Sequence, residues 1–225
     1  CIGDSIGILA NGGIQYTWLT TDSMDNINIA DPTIWPTNST IYQVYVTGSN
    51  NCSDTAEINI TVNNLPNIDA GIDVDVCIGD TIQLSASGGT SYAWITNINI
   101  SDTSLSNPNV WPTNTIMYEL TGRDANQCTN IDSINVTVLS LPVADAGPDL
   151  WICPGGTIQL SASGGVNYLW IPDSTLTNGS IQSPDATPFD DEIFVVSVTD
   201  LNNCTNTDTL LLDCLLYTSP SPRDS

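Results

Sequence analysis

Apolar and polar residues alternate with a period of two along most of this chain, in short separate runs. Ile82, Leu84 and Ala86 share one side of a run, and Tyr92 and Trp94 follow after Gly88-Gly89. Tyr118 and Leu120 form a further pair, and Ile134, Val136 and Val138 line a last run. In an extended backbone successive side chains point to opposite faces, so each run predicts a half-buried strand. Asn, Asp, Ser, Gly and Pro fill the intervals, and these are the turn-forming residues. No helical period is sustained anywhere. Short strands separated by turns roughly every eight to twelve residues predict an all-β fold built as a sandwich.

The runs recur at a fixed step. Cys1, Cys77 and Cys153 are evenly spaced, and the same step relates Cys52, Cys128 and Cys204, Trp18, Trp94 and Trp170, and Pro36, Pro112 and Pro188. TIQLSASGG stands at 81–89 and again at 157–165. A period of this length marks a tandem array of one module. LPNIDAG (65–71) and LPVADAG (141–147) fall between the last strand of one repeat and the first cysteine of the next. The expected units are therefore 1–66, 67–142 and 143–212, with short proline-bearing junctions that hold neighbours semi-rigidly. Residues 213–225 break the period: DCLLYT stands where TVLSLP is expected, and SPSPRDS matches nothing upstream. This tail is expected to be non-native and outside the fold. With no initiator Met and a start inside a repeat, the chain is expected to be a piece of a longer protein, its first repeat truncated at the N-terminal side.

A module of about 76 residues buries a limited core and benefits from a covalent tie. Two cysteines lie 51 positions apart in every repeat, which suggests three bridges inside the repeats: Cys1–Cys52, Cys77–Cys128 and Cys153–Cys204. Pairing between repeats, as in Cys52–Cys77, is the alternative and would leave both ends of the array unpaired. Zinc-type binding is disfavoured, because there is no CxxC and no histidine. Disulfides need an oxidising compartment, so an extracellular or cell-surface location is expected.

Charge narrows the partners. The formal net charge is −23, with 25 Asp and Glu against two Lys and Arg. Such a field repels phosphate backbones and anionic lipid surfaces, so nucleic acid is an unsuitable partner. No stretch of 18 or more apolar residues could insert into a membrane as a helix. Without His or Lys, Ser-His-Asp and Cys-His nucleophiles and lysine chemistry are absent, and no enzymatic role is expected.

Two kinds of candidate site remain. Oxygen ligands gathered from loops suit calcium. Asp69, Asp73, Asp145 and Asp149 recur at the junctions, and Asp124 and Asp200 in equivalent turns before a cysteine. None has EF-hand spacing, and an acidic solubilising surface is the simpler account. Among the aromatics, Trp18, Trp94 and Trp170, each two residues after a Tyr, are expected in the core. Trp35 and Trp111 precede prolines where a loop meets a strand. Exposed, they would stack on sugar rings; the expectation is that they are covered and plug one end of the sandwich. Trp151 is expected to pack between the second and third repeats.

ADAGPD-x-x-I-C-x-G (144–155), then LSASGG, Y-x-W, a spaced proline pair and an aromatic strand ending near N-x-C resemble the PKD-like and Ig-like repeats of large secreted or surface proteins of gliding bacteria. The resemblance covers about 1–212. It implies three tandem Ig/PKD-like β-sandwiches, each closed by one disulfide, in a structural or adhesive stalk. Thr187 replaces the tryptophan of Trp35 and Trp111, and Gly156 replaces Asp4 and Asp80, so no role of those side chains is shared by all three copies. The implied partners are neighbouring repeats, and a polysaccharide or another cell surface. The alternatives are a carbohydrate-binding array of a secreted hydrolase and a calcium-dependent homophilic adhesin. Relative to antibody domains the cysteines lie just before strands, so the bridges are expected near an end of the sandwich.

Overall fold

A computed structural model describes residues 1–215, and every regular element in it is a strand. The first period carries β1 (Ile6–Gly7), β2 (Gln15–Trp18), β3 (Thr33–Ile34), β4 (Thr40–Thr47) and β5 (Ser53–Ile60). The next carries β6 (Val74–Cys77), β7 (Ile82–Gln83), β8 (Ser91–Trp94), β9 (Asn109–Val110), β10 (Ile116–Arg123) and β11 (Thr129–Leu139). The last carries β12 (Leu150–Ile152), β13 (Ile158–Gln159), β14 (Asn167–Ile171), β15 (Asp185–Ala186), β16 (Glu192–Thr199) and β17 (Thr205–Cys214). Each period forms a larger sheet and a two-stranded one. The larger sheets run β2-β4-β5, β6-β11-β10-β8 and β12-β17-β16-β14; the small ones are β1-β3, β7-β9 and β13-β15.

Pairing follows the alternation in the sequence. Trp94 lies opposite Leu120, and Tyr118 opposite Ile134, so the apolar faces of β8, β10 and β11 coincide. A slip of one residue would send every one of these side chains to solvent, which is why the register is firmly set. In the first period Ile8, Trp18, Ile34, Tyr42 and Val44 form the buried cluster. In the last, Leu160, Trp170, Phe194, Val196, Leu210 and Leu212 do so. The expected core placement of Trp18, Trp94 and Trp170 holds, since all three are buried. Trp18 Nε1 donates to the Ile29 carbonyl and Trp94 Nε1 to that of Leu105, both at 2.9 Å. Burial of an indole needs such a partner, because a lost hydrogen bond costs about 1–3 kcal/mol. Trp170 Nε1 is buried without one. Tyr118 likewise spends its hydroxyl on the Ile98 carbonyl at 2.9 Å, and burial pushes its pKa up.

The described chain divides into two compact units that do not follow the repeat boundaries. One comprises Cys1–Val74, Thr81–Trp111 and Ile116–Val136; the other comprises Asp75–Asp80, Pro112–Thr115 and the described residues from Thr137 onward. Residues 213 and 214, expected outside the fold, continue β17 and pair with Trp151 and Ile152 in parallel register. The rest of the anomalous tail, 216–225, lies outside the described residues.

The disulfides are not those expected. The bridges are Cys1–Cys128 and Cys77–Cys204, each spanning 127 residues, while Cys52 and Cys153 are free and exposed. Strand length explains why pairing within a repeat fails. Ile2 N donates to the Asn63 carbonyl, so Cys1 lies beside the far end of the last strand, whereas Cys52 immediately precedes its start at Ser53. About ten residues of strand separate those ends by about 33 Å, and a disulfide needs Cα atoms within about 7 Å. The last period repeats this: Leu215 N donates to the Ile152 carbonyl, placing Cys153 at one end of β17 and Cys204 at the other. The Cys52–Cys77 alternative is not formed either. What the bridges join are the ends of successive repeats, and the expectation that they lie at an end of the sandwich holds.

Candidate functional site: the joints between repeats

The joint into the second period is built on the junction segment. Asn130 Nδ2 donates to the Pro66 carbonyl at 3.0 Å. Asp69 and Ser87 exchange backbone hydrogen bonds at 3.2 and 2.8 Å. Ala70 N donates to Asp132 Oδ2, and Asn135 N to Asp73 Oδ1, both at 2.8 Å. The junction is thus an extra edge segment laid on the next repeat, with Cys1–Cys128 beside it.

The joint into the third period has the same parts. Asn206 Nδ2 donates to the Pro142 carbonyl at 3.0 Å, and Asp145 pairs with Ser163. Ala146 N donates to Asp208 Oδ2 at 2.8 Å and Leu211 N to Asp149 Oδ1 at 2.9 Å. The backbone amides of Ala146 and Thr209 hold the Asp208 carboxyl below the usual carboxylate range. Charge-assisted bonds of this kind are roughly twice as strong as neutral ones.

The double glycine serves this joint. A Cβ on Gly88 would lie 1.8 Å from the Asn67 carbonyl oxygen, and one on Gly164 1.8 Å from that of Val143. Both also have positive φ, which other residues rarely adopt. Size is matched across the joint as well. Ile68 fills the space over Gly122, where a Cβ would meet its side chain at 2.2 Å. One period later Ala144 stands for Ile68 and Val198 for Gly122, and both belong to the same packed cluster.

Each of the six candidate calcium ligands accepts a backbone hydrogen bond on one carboxylate oxygen. Asp69 Oδ1 and Asp145 Oδ1 accept from Gly71 N and Gly147 N at 2.9 Å. Asp124 Oδ1 accepts from Asn126 N and Cys128 N, and Asp200 Oδ1 from Asn202 N and Cys204 N. These are turns closed by a side-chain carboxylate. Among the described residues no group of three or more His, Cys, Asp or Glu is placed to hold a metal ion.

The aromatic candidates differ from expectation. Trp35 is 45% exposed and Trp111 42%, while the following Pro36 and Pro112 are buried. The proline anchors the loop and the indole is left facing out; these tryptophans do not plug the sandwich. Trp151 is 63% exposed, which corrects its expected burial between repeats. Its strand β12 lies at a sheet edge, where alternate side chains meet solvent.

Sequence reasoning missed Asn130, Asp132, Asn206 and Asp208. Their signal was present as a polar pair recurring at the repeat step, replaced in the first period by Asp54 and Ala56.

Compared with known proteins, the chain matches no family profile and no curated sequence. Solved structures resemble it at the level of backbone arrangement. The N-terminal eight Ig domains of Down Syndrome Cell Adhesion Molecule align over 95% of this chain and 38% of that one, at 12% identity and a TM-score of 0.34. Cadherin domains 3–6 of Protocadherin Gamma B2 align over 90% and 67%, at 13% identity and a TM-score of 0.31. The insect immune protein hemolin aligns over 95% and 72%, at 12% and 0.34. The chain thus spans about two fifths of the first of these. Likeness this remote carries no ligand, partner or activity to the present chain.

Proposed function

We propose that this chain is a segment of an extracellular structural or adhesive stalk, built of three tandem sandwiches (1–66, 67–142 and 143–212) and without catalysis. The observation that carries the reading is the pair of bridges between successive repeats. Each joint is crossed twice, once by the peptide junction and once by a disulfide. A load applied along the chain then bypasses residues 2–76 and 129–203 and can draw out only the stretch from Cys77 to Cys128. From Cys1 to Cys204 the shortest covalent path crosses both bridges and the 51 positions between Cys128 and Cys77. That path extends to about 180 Å, against about 700 Å for the reduced chain. Single-molecule pulling between the termini, with and without reductant, tests this. The reading requires a gain in contour of about 500 Å on reduction, the difference between those two extended lengths. Equal contours under both conditions refute it.

A second reading has one observation in its favour, the exposure of Trp35 and Trp111. Flat aromatic faces open to solvent suit stacking on a polysaccharide. Retention of the chain on a panel of polysaccharides, lost in Trp35→Ala with Trp111→Ala, would establish it. Absence of retention on every member would leave the stalk alone.

A further inference from the structure

The first repeat presents the surface that the other two repeats cover with a junction segment. Its last strand, β5, is exposed along nearly its whole length. Ile58 is 41% exposed, whereas its counterparts one and two periods on, Ile134 and Leu210, are 3% and 1%. Ile134 is covered by the turn at Gly71, to whose Cβ position its Cδ1 lies within 3.6 Å. Gly12, the counterpart of Gly88 and Gly164, has φ +92° and nothing within 4 Å of where a Cβ would be. The surface is also concave. An open groove of about 370 Å³ runs past Gly12, Val46, Cys52 and Ala56. A smaller one of about 70 Å³ lies alongside, against Leu9, Ala10, Trp18 and Ile58.

Cys52 opens into the larger groove and is free. Its counterparts Cys128 and Cys204 are both bridged to the early cysteine of the preceding module. The same position therefore binds a cysteine wherever the neighbouring surface is covered.

We infer that the β5 face of the first repeat is a docking site for a further copy of this module, whose junction segment fills the groove while its early cysteine bridges Cys52. Leaving Ile58 and Gly12 open costs apolar burial that the other two repeats obtain, and the internal copies show what covers them. Forming the bridge joins two Sγ atoms. Their two protons and two electrons pass to a small-molecule disulfide, which is reduced to two thiols by exchange. Val46 refines the occupant. The position equivalent to Val46 is Gly122 under Ile68 and Val198 beside Ala144, so a valine there leaves room for alanine and not for isoleucine. The matching segment is the L-P-x-A-D-A-G type of 141–147, not the L-P-N-I-D-A-G type of 65–71. Asp54 and Ala56 replace the Asn and Asp that clamp the other two junctions. The docked segment therefore lacks two side-chain bonds, and this joint depends on its disulfide more than the others do. Cys153, free and exposed, is the complementary early cysteine at the other end of the described array. This inference deepens the stalk reading, but its failure would leave the contour measurement above untouched.

The test extends the full chain at its N-terminus by a copy of residues 77–152, which keeps the repeat register and supplies an LPVADAG junction. The extended chain is oxidised with glutathione disulfide and freed of it. Maleimide labelling without reductant, followed by peptide mapping, then reads the state of Cys52. The expected result is loss of Cys52 labelling, a new linkage between Cys52 and the added cysteine, and slower amide exchange across Ser53–Ile60. Gly12→Leu in the extended chain should restore labelling by blocking the groove. Independently of whether the added module folds, a synthetic LPVADAGPD peptide titrated into the unextended chain should shift the Ala10 and Ile58 amides, and an LPNIDAGID peptide should shift them less. Unchanged labelling of Cys52 together with unshifted amides overturns the inference, as does preference for the isoleucine peptide.

Discussion

Replacing Cys1 with serine opens a closed loop of 127 residues and leaves Cys128 unpaired. In the chain-entropy model, a loop of that length restrains the unfolded ensemble by about 5 kcal/mol at 25 °C. The overlapping Cys77–Cys204 bridge leaves the 127-residue path from Cys1 to Cys128 in place and only restrains the stretch from Cys77 to Cys128 within it. Loop entropy depends on the logarithm of length, so this lowers the figure by only a few tenths of a kcal/mol. Cys1 is half-buried and Cys128 fully buried, and a thiol left in that buried position adds little, since free cysteine packs as a small apolar group. The expected loss is therefore about 4–5 kcal/mol for the unit that holds this bridge. Guanidinium unfolding of wild type and Cys1→Ser measures it, and the denaturant slope should rise because the unfolded chain exposes more surface. Cyanogen bromide cleavage after Met24 and Met117, combined with proteolysis after Glu57, Glu119 and Glu192, identifies the linkage. The structure requires 1–24 to remain joined to 120–192, 58–117 to 193–225, and 25–57 to be released. Recovery of 1–24 joined to 25–57 would mean pairing within repeats. A wild-type Cys52 that resists maleimide would refute the pairing equally.

Other outcomes follow from the same geometry. Gly88→Ala should destabilise by more than about 2 kcal/mol, because its Cβ meets the Asn67 carbonyl. Gly12→Ala, with open space at the same φ, should cost about 1 kcal/mol by thermal melting. Trp94→Ala should cost about 3–5 kcal/mol, whereas Trp111→Ala on the surface should cost under about 1 kcal/mol. The Asp208 carboxyl titrates below its ordinary value of 3.8 in the folded state. Its contribution is thus fully present above about pH 4–5 and is lost as pH falls through the lower folded value. The stability gap between wild type and Asp208→Asn should accordingly be constant from neutral pH to about 5 and close below about 4. A melt with calcium and with chelator should coincide, since backbone amides occupy the junction carboxylates; a rise abolished by Asp69→Asn with Asp73→Asn would show a cation site after all.

The all-β architecture and the core were legible along the chain, because both depend on patterns local in sequence. A period of two sends Trp18, Trp94 and Trp170 inward whatever their distant neighbours, and the repeat step superimposes one module's pattern on the next. The disulfide pairing was not legible. Cys1 is nearer in sequence to Cys52 than to Cys128, but the last strand of a module carries its two cysteines to opposite ends, and only stacking against the next module brings partners to bonding distance. The partners of the junction carboxylates were not legible for a related reason. Their recurrence marked them as important, yet whether an aspartate faces a cation or a backbone amide depends on a segment far along the chain, as for Asp73 with Asn135. Exposure of Trp35 and Trp111 was also beyond the sequence, since the buried proline beside each fixes the loop without fixing which way the indole turns. The sequence determined the strands, their inward faces and the repeat. The tertiary structure decided which ends meet, because end-to-end contact is set by strand length and direction and leaves no periodic trace along the chain.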